Sequence, residues 1–164
     1  MVGAVLSNID QPLLLVVDES RIDEAITRLS RVGFDNVIGF LSGGFESWKS
    51  ADKSIASIKT IYANDFAKIN SSNQLKIFDV RKSTEYDSAH IVNAINAPLN
   101  DIDSNYDMYN KDGEVYIHCA GGYRSIIANS ILKSKGYHNL IDVLGGFSSI
   151  RNTDIPIKEN ICTN

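Results

Sequence analysis

The sequence predicts an α/β fold of three layers, in which a central parallel sheet of about five strands is flanked by helices. Two stretches, residues 11–45 and 114–147, carry this prediction, because each reads as strand, helix and strand in that order. The apolar run that opens each stretch is short and unbroken, which is typical of a strand buried on both faces of a parallel sheet. A parallel neighbour requires a crossover connection, and the helix of each stretch supplies one.

The helix of each stretch shows one apolar face. Apolar side chains recur there with the spacing of an α-helix. They are Ile22, Ala25, Ile26 and Leu29 in the first copy and Ile127, Ala128, Ile131 and Leu132 in the second. Gly33 and Gly136 follow where a left-handed C-terminal cap is expected. A further apolar run after each glycine predicts the second strand of the unit.

The repeat also predicts where the domains lie. The copies align without gaps through the helix, and a one-residue difference in length then precedes the paired glycines of each copy. The segment before the second copy contains a further strand candidate at residues 75–80, whereas nothing comparable precedes the first copy. We therefore predict the second half of a degenerate domain at residues 1–50, a polar linker at 51–57 and a complete domain at 58–164. The alternative is a single domain with a coincidental repeat.

Composition argues against several classes of function. The chain has 164 residues, of which 43% are hydrophobic and 22% charged, as in an ordinary soluble globular protein. A net charge of -4 with scattered lysines and arginines argues against nucleic-acid binding. The sequence shows neither a bilayer-spanning apolar run nor a signal-peptide pattern, so we expect no membrane partner. Two cysteines and three histidines without close spacing predict no disulfide framework and no metal site, and a reducing cytoplasm is the simplest compartment.

The candidate catalytic residue is Cys119, which follows the opening strand of the second copy. Parallel α/β sheets place ligands at the carboxyl ends of their strands. The loop that follows comprises Ala120, Gly121, Gly122, Tyr123, Arg124 and Ser125. Its glycines allow backbone N–H groups to converge on one point, and a helix expected to begin near Arg124 or Ser125 aims its positive end there. Arg124 adds a permanent charge, which favours the thiolate without a histidine base, and Ser125 can cap the helix or donate into the loop. The alternative is a buried, inert cysteine.

Three motifs resemble rhodanese-type sulfurtransferases. The loop "HCAGGYRS" resembles the active-site loop of that family, residues 79–99 resemble its other signature, and the closing "LGGF" resembles its C-terminal stretch. The matching positions of the second motif are Asp79, Arg81, Glu85, His90, Ala94, Asn96 and Pro98. The sequence departs from the family pattern at Ala89, Asn93 and Ile150. Asn93 is a mild change, because asparagine tolerates positive φ.

The resemblance implies a rhodanese-like fold and sulfur transfer through a persulfide on Cys119, without a cofactor. The donor would be thiosulfate or a low-molecular-weight persulfide, and the acceptor a thiol, sulfite or cyanide. The loop would stabilise the anionic sulfur in both states. Asp79, Arg81 and Glu85 are expected to form an ion-paired brace beside the loop, with a plain solvated charge cluster as the alternative.

Further residues receive secondary roles. Tyr123 and Arg124 would border the pocket, where Arg124 could orient an anionic donor. His90 is expected to be a hydrogen-bonded structural residue rather than a base. His118 alternates to the face opposite the cysteine, so we expect it to pack. Cys162 lies in the polar tail, where a role in resolving the persulfide is the less favoured interpretation.

Residues 1–50 resemble the second half of a degenerate domain of the same family. Val16 replaces the cysteine, and Asp18 and Glu19 reverse the charge of the loop. This arrangement resembles the tail of fusion proteins that begin with a metallo-β-lactamase-fold persulfide dioxygenase or hydrolase domain, which makes such a domain an expected partner. The half-domain would expose a sheet edge and an apolar helix face, so we expect it to pack on the complete domain or on a second copy, and the latter would make a homo-oligomer.

Two other functions stay open from the sequence. One is a cysteine phosphatase, whose loop has one residue more between its cysteine and its arginine. The other is a non-enzymatic module that carries sulfur for the upstream domain or docks onto it.

Overall fold

The computed structural model describes residue 6 and residues 8–72 and 75–160, so the expectation for Cys162 lies outside the described residues. The chain divides into two compact units, Met1–Ser57 and Ile58–Asn164, hereafter unit 1 and unit 2. Residues 53–57, the last of unit 1, have no regular secondary structure. The half-domain origin of unit 1 stays a prediction.

Unit 1 contains β1 (Leu13–Leu15), α1 (Ile22–Ser30), β2 (Val37–Phe40) and α2 (Gly44–Ser50). The two strands pair in parallel, which agrees with the strand, helix, strand pattern of the sequence. Helix α1 ends at the expected cap. Gly33 has a φ of 87°, and the N–H of Phe34 donates back to the carbonyl of Leu29 at 3.1 Å.

The expectation that the strands of unit 1 are buried on both faces is wrong. Leu14 of β1 is 72% exposed and Ile38 of β2 is 62% exposed. Both strands alternate between half-buried and exposed residues, so one face of this two-stranded sheet is open. Parallel strands become buried on both faces only where other elements cover both sides, and the described part of unit 1 has no helices besides α1, α2 and one short 3-10 turn.

The strands of unit 2 are β3 (Lys59–Tyr62), β4 (Lys76–Asp79), β5 (Ala89–Ile91), β6 (Ile95–Asn96), β7 (Val115–His118), β8 (Leu140–Leu144) and β9 (Ile157–Glu159). Five of these strands form a central sheet in the order β3, β8, β7, β4, β6, and every pairing in that sheet is parallel. Its helices are α3 (Ala63–Ser72), α4 (Ser83–Ser88), α5 (Ile102–Asn105), α6 (Tyr123–Ser134) and α7 (Gly146–Ile150). The predicted α/β fold with a parallel sheet is confirmed. A separate antiparallel pair of β5 and β9 was not predicted.

The helices of unit 2 form separate cores on the two faces of the sheet, which gives three layers. On one face, Ala128 and Leu132 of α6 are fully buried in a cluster with Ile117 of β7. On the other face, Phe66 of α3 and Ile150 of α7 pack in a second cluster with strand residues. Alternation along β7 and β8 sends successive side chains to the two clusters, so both strands are buried throughout, except for the half-buried end of β8.

Two predicted backbone positions are found in unit 2. Gly136, which follows the end of α6, has a φ of 87°, as expected for a left-handed cap, and Asn93 has a φ of 68°. Asparagine occupies this left-handed region at lower cost than most residues, which explains why position 93 can be asparagine where the family pattern has glycine. Among the described residues, no helix has the length and apolar character needed to cross a membrane.

Candidate active site

Cys119 lies directly after β7, at the carboxyl edge of the central sheet, and its side chain is buried. It belongs to the cluster on the α6 face of the sheet. The backbone N–H of Gly122 donates to the Cys119 Sγ atom at 3.2 Å. The loop therefore bends back on itself, so that a main-chain donor points at the sulfur. Such a donor stabilises negative charge on sulfur.

The loop ends where α6 begins, at Tyr123, slightly before the expected start near Arg124 or Ser125. Gly122 is the N-cap residue and has a φ of 102°, a conformation that favours glycine. The Ser125 hydroxyl is buried and donates to the carbonyl of Gly122 at 3.1 Å. The first turn of α6 is thereby tied to the residue whose N–H points at the cysteine.

The start of α7, which includes the second glycine of the "LGGF" stretch, holds the cysteine loop through backbone hydrogen bonds. The N–H of Phe147 donates to the carbonyl of Cys119 at 2.7 Å, and the N–H of Ser148 donates to the carbonyl of Ala120 at 2.9 Å. Gly146 has a φ of 55°, and a Cβ at this position would collide with the carbonyl of Cys119. Only glycine allows α7 to approach the loop so closely. The "LGGF" stretch therefore shapes the site through its backbone.

Arg124 forms a two-point ion pair with Glu85. Its Nη1 and Nη2 atoms donate to the two carboxylate oxygens at 2.6 and 2.9 Å. The hydrogen bond from Arg124 lowers the pKa of Glu85 despite partial burial, and the same bond raises the pKa of Arg124. Arg124 thus stays charged beside Cys119, with its side chain fixed by a planar bidentate contact.

Asp79 and Arg81 form a second, separate pair, which is buried. Arg81 Nη2 donates to Asp79 Oδ2 at 2.6 Å and to the carbonyl of Ala89 at 2.7 Å. The Arg81 guanidinium also lies 4.0 Å from the centre of the Phe147 ring. Asn96 donates to the carbonyls of both Asp79 and Arg81 at 3.0 Å. The acidic and basic residues expected to form one brace are therefore two pairs, and only Glu85 is paired with the cysteine loop.

The histidines make structural contacts. His90 Nδ1 lies 2.8 Å from the carbonyl of Tyr86, and its ring stacks on the Tyr86 ring with the centroids 3.9 Å apart. His118 is fully buried, with Nε2 3.9 Å from Asp79 Oδ2 and its ring stacked near Phe147. Burial lowers the pKa of His118, and the negative charge of Asp79 partly opposes this.

The outer rim of the loop is open. Tyr123 is 72% exposed and Gly121 is also exposed, whereas Ala120 and Gly122 are half-buried. In the described residues, no group of histidines, cysteines and carboxylates could hold a metal ion. Two polar residues that were not predicted from the sequence, Asn129 and Asp142, are fully buried on the α6 side of the sheet. Their signal in the sequence is a polar residue within an otherwise apolar helix face or strand.

Unit 2 is similar in sequence to known proteins. A family model described as a rhodanese-like domain matches residues 62–153. The chain belongs to the rhodanese-like family. Its rhodanese-like domain is 35% identical over 79 residues to the putative sulfur carrier protein YrkF of Bacillus subtilis, covering 48% of this chain and 43% of YrkF. It is 38% identical over 74 residues to the adenylyltransferase and sulfurtransferase uba4 of Ogataea parapolymorpha, covering 44% of this chain and 19% of that protein. The matches thus span less than half the length of these relatives.

Solved structures show the same rhodanese-like fold. A rhodanese-related protein from Thermoplasma volcanium superimposes with a TM-score of 0.55 at 28% identity, covering 61% of this chain and 97% of that one. A rhodanese-like domain protein from Staphylococcus aureus gives a TM-score of 0.53 at 32% identity, covering 57% and 91% of the two chains.

Proposed function

We propose that unit 2 is a sulfurtransferase that carries sulfane sulfur as a persulfide on Cys119. The observation that supports it most directly is the Gly122 N–H pointed at the Cys119 Sγ atom, with the charged Arg124 in the same loop. Both groups favour a sulfur anion, which is the state required of the attacking thiolate and of the persulfide that it becomes.

The reaction has two steps. In the first, the Cys119 thiolate attacks the outer sulfur of thiosulfate or of a low-molecular-weight persulfide. A sulfur–sulfur bond forms to Cys119, the donor's own sulfur–sulfur bond breaks, and sulfite or a thiolate leaves with the electron pair. In the second, a thiol, sulfite or cyanide acceptor attacks the terminal sulfur and the Cys119 thiolate departs. No net oxidant or reductant is consumed, as ping-pong group transfer requires.

A sulfur carrier is the second candidate, since the matching relative YrkF is described as a putative sulfur carrier protein. In that role Cys119 would accept sulfur and deliver it to a partner protein rather than turn over small molecules. The proposed partner is a metallo-β-lactamase-fold domain in the cytoplasm, on the resemblance of residues 1–50 to the tail of such fusion proteins. The four residues between Cys119 and Arg124 make a tighter cradle than a phosphatase loop, which favours sulfur over phosphate.

A turnover assay separates these functions. Thiosulfate with cyanide, and glutathione persulfide with sulfite, are each incubated with the full chain and with the variant Cys119→Ser. The proposal expects many turnovers per chain with at least one donor, and none in Cys119→Ser. Transfer that stops after one equivalent identifies a carrier. Hydrolysis of an aryl phosphate that is abolished in Cys119→Ser would overturn the sulfurtransferase function.

A further inference from the structure

Three polar side chains are completely buried beneath the cysteine loop. They are Ser125 and Asn129 on α6 and Asp142 on β8, each with no exposed surface. Buried polar groups are costly unless they form hydrogen bonds, so a cluster of this kind needs a physical reason. Its place between the first turn of α6 and the sheet puts it on the same face as Cys119.

The cluster is connected to the cysteine by hydrogen bonds. Asn129 Nδ2 donates to the carbonyl of Ser125 at 2.9 Å and to Asp142 Oδ1 at 3.4 Å. The Ser125 hydroxyl donates to the carbonyl of Gly122 at 3.1 Å. Gly122 in turn donates its N–H to the Cys119 Sγ atom at 3.2 Å. Displacement of Asn129 or Ser125 would therefore move the donor that points at the sulfur.

Two atoms of the cluster lack a partner among the described residues, Asn129 Oδ1 and Asp142 Oδ2. Both are acceptors if Asp142 is ionised, and neither then has a donor. A proton on Asp142 Oδ2 turns that atom into a donor, for which Asn129 Oδ1 is an acceptor. The amide and the acid can then pair through both of their polar ends.

The surroundings of Asp142 favour the neutral form as well. The neighbouring strands place Ile117 and Thr60 opposite it, and neither side chain carries a charge. On α6, the charged residue of the first turn is Arg124, which is held by Glu85. Burial raises the pKa of Asp142, and the Ser125 side chain opposes that effect only in part.

We propose that Asp142 is a neutral carboxylic acid paired with Asn129, and that this pair positions the Gly122 N–H toward Cys119. Asp142 is a positioning residue, since it acts through Asn129, Ser125 and the loop rather than on the substrate. The role rests on the proposed function of Cys119 as the sulfur-bearing nucleophile. Its measurable consequence is the reactivity of the thiol, which does not require sulfur transfer.

Unit 1 supports this inference by contrast. In the repeat, Ile22 and Ile26 correspond to Ser125 and Asn129, and the aligned strand has Gly39 and Phe40 where unit 2 has Asp142. The copy without a cysteine thus has no polar side chain at any of these positions. Both copies form the strand, helix, strand unit, but only the copy with the cysteine has the polar cluster. The cluster is therefore not required to form the unit.

The test is the pH profile of Cys119 alkylation by iodoacetamide, measured in full-length chains that carry Cys162→Ser. Asp142→Leu removes the pair at similar volume, and we expect alkylation near neutral pH to slow about tenfold, equivalent to a shift of about one pH unit. Asp142→Asn keeps a donor and an acceptor in place, so its profile should stay within about twofold of the parent. Val143→Ala, which shortens a buried side chain on the opposite face, controls for general destabilisation and should leave the profile unchanged.

The proposal is overturned if Asp142→Leu alkylates like the parent, or if Asp142→Asn is as impaired as Asp142→Leu. If Asp142→Leu fails to fold, Asn129→Ala serves the same purpose and should slow alkylation. A carbon-13 NMR titration of the unsubstituted chain tests the neutral acid independently, with the Asp142 resonance assigned by its loss in Asp142→Asn. At about pH 7 the carboxyl signal should have the chemical shift of a protonated acid, and the shift of a carboxylate, or a titration near the ordinary aspartate value of about 3.9, would refute it.

Discussion

Unit 1 and unit 2 contain the same strand, helix, strand sequence, yet they organise the end of the first strand differently. In unit 2 the N–H groups at the start of α7 donate to the carbonyls of Cys119 and Ala120. In unit 1 the Glu19 carboxylate accepts from the Gly43 N–H at 3.0 Å and from the Ser42 hydroxyl at 3.1 Å. The hydrogen bond from Gly43 is the main cause that lowers the pKa of Glu19.

The two units differ in the charge that lies near the end of the first strand. In unit 1, the Glu19 carboxylate can lie near the end of the first strand because the residue that matches the cysteine is Val16, which is 54% exposed. In unit 2, backbone hydrogen bonds from α7 hold the end of the first strand, and the carboxylate of Glu85 is bound to Arg124. The sulfur of Cys119 then has an N–H donor and a nearby cation rather than a competing negative charge.

The largest contrast is expected from the aligned arginines. Arg124→Met removes the cation beside Cys119 and leaves Glu85 unpaired, so we expect the rate of sulfur transfer to fall about a hundredfold. Arg21→Met, at the matching position, breaks only a surface pair with Glu24, and the free energy of unfolding should change by less than about 0.5 kcal/mol. Equal transfer rates in both variants would show that the cation is not used.

The second glycine of each pair offers the next contrast. Gly146→Ala places a Cβ against the carbonyl of Cys119 at a positive φ, and we expect a loss of about 2–4 kcal/mol in the free energy of unfolding. Gly44→Ala meets the same backbone strain, but its Cβ lies 3.2 Å from the carbonyl of Val17, so the loss should be about 1–2 kcal/mol. Chemical denaturation measures both. A larger loss in Gly44→Ala than in Gly146→Ala would contradict this expectation.

The smallest expected effect is the pH dependence of stability in unit 2, which contains all three histidines. Burial lowers the pKa of His118, so its ring stays neutral in the folded protein at pH values at which the same ring binds a proton in the unfolded chain. Stability from this residue is present above about pH 6.5 and declines as the pH falls below it. His118→Gln should flatten the pH dependence of the thermal midpoint, whereas the exposed His138→Gln should not.

The parallel sheet, the helix caps and the position of the cysteine loop could be predicted from the sequence, because each depends on local patterns. Alternation, apolar spacing and the glycine positions are visible within a single strand or helix. The pairing of Glu85 with Arg124 joins residues far apart in the chain, so no local pattern separates it from a pairing with Arg81. The open face of β1 and β2 depends on what covers a sheet, which its own strands do not encode. The pairing of β5 with β9 involves three residues of each, too few to give a period.

Sulfur transfer to Cys119 can be tested by the mass of the intact chain after incubation with glutathione persulfide or thiosulfate. We predict the addition of one sulfur atom, removable by cyanide and mapped to the peptide that contains Cys119. The addition should persist in Cys162→Ser and disappear in Cys119→Ser. An unchanged mass with both donors, or a sulfur atom located on any residue other than Cys119, would show that unit 2 does not carry sulfur on this cysteine.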